Sequence, residues 1–387
     1  MAKGTSGGYW DEQNLPSRFK HELLRHYIPP FGGMTGSRDK QVVYLDGYAG
    51  EGRYDSGEPG SAEIAMKVAA DHLRHGLRWT CFFIEKGTAS VARLRQVAGE
   101  YQRQGVDARV HHSDVTALLA EVTAAAVGQP LFLFLDPCGL TLPFDELVRV
   151  LADQRRPGAG NWPPTELLMN FSMMAVRRLG GNARSERGLE ASSVRFDGVC
   201  GGPWWREYFV GGLPPEDAAG RVADGYAQRL SAATGMHVVS VPVARAPGHK
   251  PVYHLVFATR SQYGLWVFGD SAARAKEAWW EKVELTEEAA DDALFTMASV
   301  IRPDPEEVRR AAVPAIAQNL GRLLKRVGEF RLVDHTVEVF GDFYGQVTEP
   351  AARKAVKHLH KEGGTPTTGV GSMKTRELVV LPPADSR

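Results

Sequence analysis

Short apolar runs closed by a polar or acidic residue alternate along the first two thirds of this chain with stretches whose apolar positions recur at helical spacing. Val42–Leu45 ends in Asp46, Trp79–Ile84 in Glu85, Pro130–Leu135 in Asp136, and Glu166–Met169 in Asn170, while the more polar stretch Ala108–Ser113 leads to Asp114. Between them, Gly60-Ser61-Ala62 opens an Ala/Ile/Met-rich helix and Ala89 to Arg103 predicts another. Buried strands alternating with helices predict a parallel α/β sheet with helices on both faces, a Rossmann-like architecture. His237–Val243 and Val252–Ala258, joined by a Gly/Pro turn, predict a terminal antiparallel hairpin, which makes the sheet mixed and seven-stranded. Ahead of the sheet, residues 1–40 read as a polar arm and one helix. In that helix Phe19, Leu23, Leu24 and Tyr27 share a face, Ser17 is the expected cap, and Pro29-Pro30 the expected end.

The sheet domain is expected over 41–275, with an irregular helical insertion at about 180–235. Within the insertion Pro203-Trp204-Trp205-Arg206-Glu207-Tyr208-Phe209 is either a helix docked on the core or a stacking surface over a substrate. A helical connector is expected over 276–333. From Asp334 the order helix, turn, helix (Glu349 to Glu362), Gly363-Gly364 and two short strands ending near Leu381 predicts a winged-helix-like module over 334–387. Between Ala351 and Arg376 six Lys/Arg face the single Glu362, with Lys354, Lys357 and Lys361 on one helix side. That side is either a phosphate-contacting face or a solvated one.

Composition narrows this picture only locally. With 46 basic and 46 acidic residues among 387, no global field draws the chain to a polyanion, so any nucleic-acid contact has to be local. Its three cysteines fit neither zinc spacing nor a disulfide framework, which suits a reducing cytoplasm. No apolar run approaches the roughly 18 residues of a membrane span, and the start lacks the apolar core of a signal peptide, so the expectation is a cytoplasmic protein without membrane association.

Candidate chemistry gathers at the carboxyl ends of the strands. Asp46-Gly47-Tyr48-Ala49-Gly50-Glu51-Gly52 is a strand-to-helix turn in which Gly50 and Gly52 let backbone approach a ligand. A carboxylate at the end of the second strand, Glu85, is placed to accept hydrogen bonds from the ribose hydroxyls of a nucleotide-like cofactor. At the fourth strand, Asp136-Pro137-Cys138-Gly139 sets a carboxylate and a proline-fixed carbonyl beside the same crevice, and Asn170 adds a polar group from the fifth. Arg177 and Arg178 follow as either an anion contact or a solvated helix end. His111 and His112 read as a strand-end pair, since no third metal ligand accompanies them.

The glycine turn resembles the first motif of class I S-adenosylmethionine (SAM) methyltransferases. Asp136-Pro137-Cys138-Gly139 resembles the Asp-Pro motifs of amino-methyltransferases. This resemblance implies SAM as cofactor, held by Asp46, Tyr48, Gly50, Gly52, Glu85 and, beside the adenine, Asp114. It also implies that Asp136 and the Pro137 carbonyl accept hydrogen bonds from an exocyclic amine of a nucleobase or nucleoside-like substrate. Cys138 stands where those motifs carry an aromatic, and a Pro-Cys pair is similar to that of cytosine-C5 methyltransferases, so a nucleophilic Cys138 is the alternative. Together with Lys20-His21, Gly60-Ser61 and Asn170-Phe171-Ser172, these motifs resemble the three-Cys-motif partner family, from the amino-terminal helix to about residue 270. That resemblance implies a methyltransferase-like fold and a three-cysteine, radical-SAM-like partner protein. It also leaves open a non-catalytic scaffold for that partner.

Overall fold

The computed structural model describes residues 14–137, 142–156, 163–182, 190–210, 213–291, 302 and 304–383. Cys138 and Gly139 lie outside the described residues, as does the start of the amino-terminal arm. The chain divides into two compact units, residues 1–260 and 261–387.

In the first unit the strands β1 (Gln41–Asp46), β2 (Arg78–Glu85), β3 (Asp107–His112), β4 (Leu131–Leu135), β5 (Thr165–Ser172), β6 (His237–Ala244) and β7 (Pro251–Thr259) form one sheet. Their order is β3-β2-β1-β4-β5-β7-β6. The first five run parallel, and β7 is antiparallel to both β5 and β6. Helices α1 (Leu15–Thr35), α2 (Ser61–Leu73), α3 (Thr88–Gln102), α4 (Val115–Ala125) and α5 (Phe144–Val148) alternate with the strands. The insertion supplies α6 (Met173–Asn182), α7 (Glu190–Cys200), α8 (Arg206–Val210) and α9 (Pro215–Thr234). Because successive strand residues face opposite ways, Val43, Leu45, Phe82 and Ile84 pack with Val115, Leu119 and Tyr226 on one side. On the other side Tyr44 stacks on Phe132, and Tyr27 and Phe31 of α1 cover that ring. This is the Rossmann-like, mixed seven-stranded fold of class I methyltransferases, with helices on both faces.

The first helix departs from expectation at both ends. Its cap is Asn14, whose side chain accepts the Ser17 N–H at 3.0 Å, and not Ser17 itself. It also runs through Pro29 and Pro30 to Thr35. An interior proline costs about 3 kcal/mol in lost hydrogen bonding and steric clash. Here Tyr27, Ile28 and Phe31 are all buried against the sheet, and full burial contributes roughly 1.5–3 kcal/mol for each large apolar side chain, so packing offsets the break. Gly32 permits the close approach: a Cβ there would lie 2.2 Å from Trp79 Cζ2.

The aromatic stretch of the insertion takes the docked form. Trp205 is fully buried, donates to Asp197 Oδ1 at 2.8 Å and lies against Phe196 and Phe209. A stacking surface over a substrate would need those rings exposed.

The second unit consists of α10 (Gln262–Asp291), α11 (Pro305–Val327), β8 (Phe330–Arg331), α12 (Thr336–Phe340), α13 (Pro350–Lys361) and β9 (Val379–Val380). Two features differ from expectation. The unit boundary falls at Arg260, not at 275, and α11 is no connector, since Ala312, Ile316, Leu320 and Leu323 sit in the unit's own core with Ala352, Ala355 and Val356 of α13. Among the described residues after Gly364, only Val379–Val380 forms a strand, and it pairs with β8. The intervening loop is fixed by Arg353, which donates to the carbonyls of Gly369 and Gly371 at 3.1 and 3.3 Å, to that of Met373, and to Thr375 Oγ1.

Candidate active site

Sheet register brings the predicted residues to one edge. Asp46 of β1 is level with Phe83 of β2 and Phe134 of β4, so Glu85 and Asp136 each stand two residues beyond that level, with their side chains on the same side of the sheet. On β5, Met169 pairs with Leu135, which puts Asn170 opposite Asp136.

The turn after β1 is built by Asp46 itself. One carboxylate oxygen accepts the Tyr48 N–H at 3.1 Å and the other the Ser61 hydroxyl at 2.6 Å, tying the turn to the start of α2. Asp46 is fully buried, and that burial pushes its carboxyl up to about 7 against the bonds from Ser61 and Tyr48, which favour the charge. Gly50 and Gly52 take left-handed φ of 60° and 83°. At Gly47 a Cβ would come within 2.8 Å of both Leu135 and Val115. Asp46 therefore positions the turn, and ligand-facing groups have to come from the backbone of 47–52 and from its neighbours.

Glu85 is the nearest such neighbour. Its carboxylate accepts the N–H of Gly50 at 3.1 Å and that of Gly87 at 2.6 Å, bridging the turns that follow β1 and β2. An ionised carboxylate has about four acceptor positions, so two bonds leave capacity for a diol. Asp114 caps α4, accepting from the Thr116 N–H and hydroxyl at 2.8 and 2.6 Å, and pairs with Lys86. Partial burial raises its pKa, but the bonds from Lys86 and Thr116 outweigh that and leave it at about 2.

Asp136 sits in a cluster that the sequence pattern reveals only in part. Lys20 of α1, 4% exposed, forms an ion pair with Asp136 Oδ2. The Asn170 amide donates to Asp136 Oδ1 at 2.7 Å, which turns its own Oδ1 away; that atom is buried and has no hydrogen-bond partner among the described residues. Pro137 is buried beside them. Lys20 was legible in one respect: it falls on the apolar face that also carries Leu23, Leu24 and Tyr27, where an unpaired lysine would be expensive. A second polar cluster unseen in the sequence lies below the edge. There Glu166 of β5 accepts from Tyr27 of α1 at 2.5 Å and from Thr259 of β7 at 2.8 Å.

Other candidates are placed elsewhere or differently. Arg177 is half-buried and donates to the Pro251 carbonyl at 3.1 Å, whereas Arg178 is exposed. His111 lies over Phe82 and His112 hydrogen-bonds the Lys86 carbonyl, and no metal-binding group occurs among the described residues. Lys354, Lys357 and Lys361 are exposed on α13 in the second unit. No described helix is long and apolar enough to cross a membrane.

The strand order is that of the class I methyltransferase fold, with these polar groups at its carboxyl edge. No protein-family model matches it, and no curated protein matches it in sequence. Among solved structures it is similar to the small RNA methyltransferase HEN1, at 9% identity and a TM-score of 0.32, over 61% of this chain and 25% of that one. It is also similar to a SAM-dependent methyltransferase from Agrobacterium tumefaciens, at 9% identity and a TM-score of 0.32, over 62% of this chain and 61% of that one. The methyltransferase domain of a bacterial Hen1 matches at 10% identity and a TM-score of 0.30, over 60% of this chain and 99% of that domain. The chain thus spans a quarter of the first and about three fifths of the second.

Proposed function

We propose that this chain is a SAM-dependent methyltransferase acting on the exocyclic amine of a nucleobase or nucleoside, free or within a nucleic acid. The observation that carries the reading is the pairing of Asp136 with Asn170 at the sheet edge shared with Glu85 and the glycine turn. The residues fit SAM: Glu85 has lone pairs left for ribose hydroxyls, Gly50 and Gly52 bring backbone to the crevice, and Asp114 stands at the end of β3. Bound SAM supplies an activated methyl group. The protein's share is orientation. Asp136 and the Pro137 carbonyl hold the substrate N–H groups so that the nitrogen lone pair faces the methyl. The proton that the amine sheds on methylation would leave for solvent.

Calorimetric titration with SAM and S-adenosylhomocysteine tests the cofactor site. Glu85→Ala is expected to weaken both by at least about 100-fold, because two hydrogen bonds to a charged group contribute roughly 1.5–3 kcal/mol each and the bridge between the two turns is lost as well. A wild-type protein that binds neither compound sinks the enzyme reading and leaves the scaffold for a radical-SAM partner in its place.

The second unit enters the proposal as a winged-helix-like module that meets nucleic-acid phosphates through Lys354 and Lys357. The three-Cys-motif partner that the family resemblance implies is a further part of it, checked by co-purification of an iron–sulfur protein.

A further inference from the structure

We infer that Lys20 is a specificity-determining residue of the acceptor site: by neutralising Asp136 it makes the pocket select an uncharged NH2 group, as on an aromatic base, over an aliphatic ammonium. This rests on the methyltransferase reading above. Lys20 and Asp136 form an ion pair, and Asn170 is locked against the other carboxylate oxygen. The Lys20–Asp136 pair itself carries no net charge, yet the Asp136 carboxylate keeps lone pairs for further donors. The neighbouring Asn170 Oδ1 is buried and has no partner among the described residues. A neutral NH2 donates two hydrogen bonds to such a set and keeps its lone pair for the methyl. An ammonium has no lone pair to give, and a lone carboxylate would attract it.

Lys20 does not have to touch substrate for this. It acts through Asp136 as a positioning residue, holding the carboxylate aligned. A buried ion pair is only weakly stabilising in itself, because two charges must leave water. Replacement by an apolar pair would serve a purely structural role as well.

The test uses the full chain and two probes that need no substrate. S-adenosylhomocysteine lacks the transferable methyl, and sinefungin carries an amine, protonated at neutral pH, in its place. Affinities are measured by calorimetry for the wild type, Lys20→Met, Lys20→Gln and Lys20→Arg. In Lys20→Met and Lys20→Gln the unpaired carboxylate is expected to raise the preference for sinefungin over S-adenosylhomocysteine by about tenfold, a cautious share of the Coulomb attraction between near charges. S-adenosylhomocysteine affinity should stay within about twofold of wild type, and Lys20→Arg should restore the wild-type ratio. Lys20→Gln keeps a polar group at the buried position and stands in if Lys20→Met does not fold. An unchanged ratio in both neutral variants overturns the inference and makes Lys20 a structural clamp. Failure of the wild type to bind S-adenosylhomocysteine overturns the methyltransferase reading instead, and this inference with it.

Discussion

Asp136→Ala is expected to lower methyl transfer by about 10³-fold, while binding of S-adenosylhomocysteine stays within about twofold and the folded state loses roughly 3–5 kcal/mol. On the proposed function, the first effect follows from removal of the acceptor that would orient the substrate amine. The second follows from what remains. Lys20 is 4% exposed and pairs with Asp136, so the alanine takes that carboxylate away from a buried ammonium. Asn170 loses an acceptor in the same change. Turnover and stability would then fall together, and a simple activity assay would confuse them. A double-mutant cycle separates the two: Lys20→Met combined with Asp136→Ala should recover most of the stability, measured by urea denaturation, and none of the turnover. If Asp136→Ala is as stable as wild type, the ion pair carries no structural load. If it loses cofactor binding, Asp136 belongs to the cofactor site and not to the acceptor.

The strand ends were legible in the sequence because a parallel sheet buries both faces of its strands, so each appears as a continuous apolar run stopped by a polar residue. Asp46, Glu85, Asp136 and Asn170 all stand at the end of such runs, and the register brings them to one edge. What lay beyond the pattern was the inward traffic of polar groups from α1. Lys20 reaches residue 136 and Tyr27 reaches residue 166, contacts between positions more than a hundred residues apart that no local spacing encodes. The end of α1 was misplaced for a related reason: the proline rule is local, and burial of Ile28 and Phe31 on the sheet is not. Asp46 shows the opposite case. Its place at the end of the run shows in the sequence, and the structure adds that its two oxygens accept from Tyr48 and Ser61. In the second unit the helices followed from their periodicity, whereas the loop before β9 did not become a strand because Arg353 takes its carbonyls.

Glu166 makes stability fall as pH rises, the reverse of the usual surface carboxylate, and Glu166→Gln is expected to remove about half of the fall between pH 5 and pH 8. Burial raises its pKa from 4.5 to about 7, against the hydrogen bonds from Tyr27 and Thr259, which favour the ionised form. Between those two values the folded chain holds a proton that the unfolded chain has released, so folding is favoured at the acid end of the window and progressively less as pH climbs through 7. At 1.36 kcal/mol per pH unit the window amounts to about 3 kcal/mol. Urea midpoints at pH 5 and pH 8 measure it. Asp46 contributes with the same sign, its pKa rising from 3.8 to about 7, so the variant should keep a residual slope. A variant with the full wild-type slope would move the effect to Asp46 alone. Glu166 joins α1 to β5 and β7 through Tyr27 and Thr259, and Tyr27 lies two turns along the helix that delivers Lys20. Ionising Glu166 strengthens those two hydrogen bonds but leaves a charge buried beside the helix that carries Lys20, so the loss falls on overall stability.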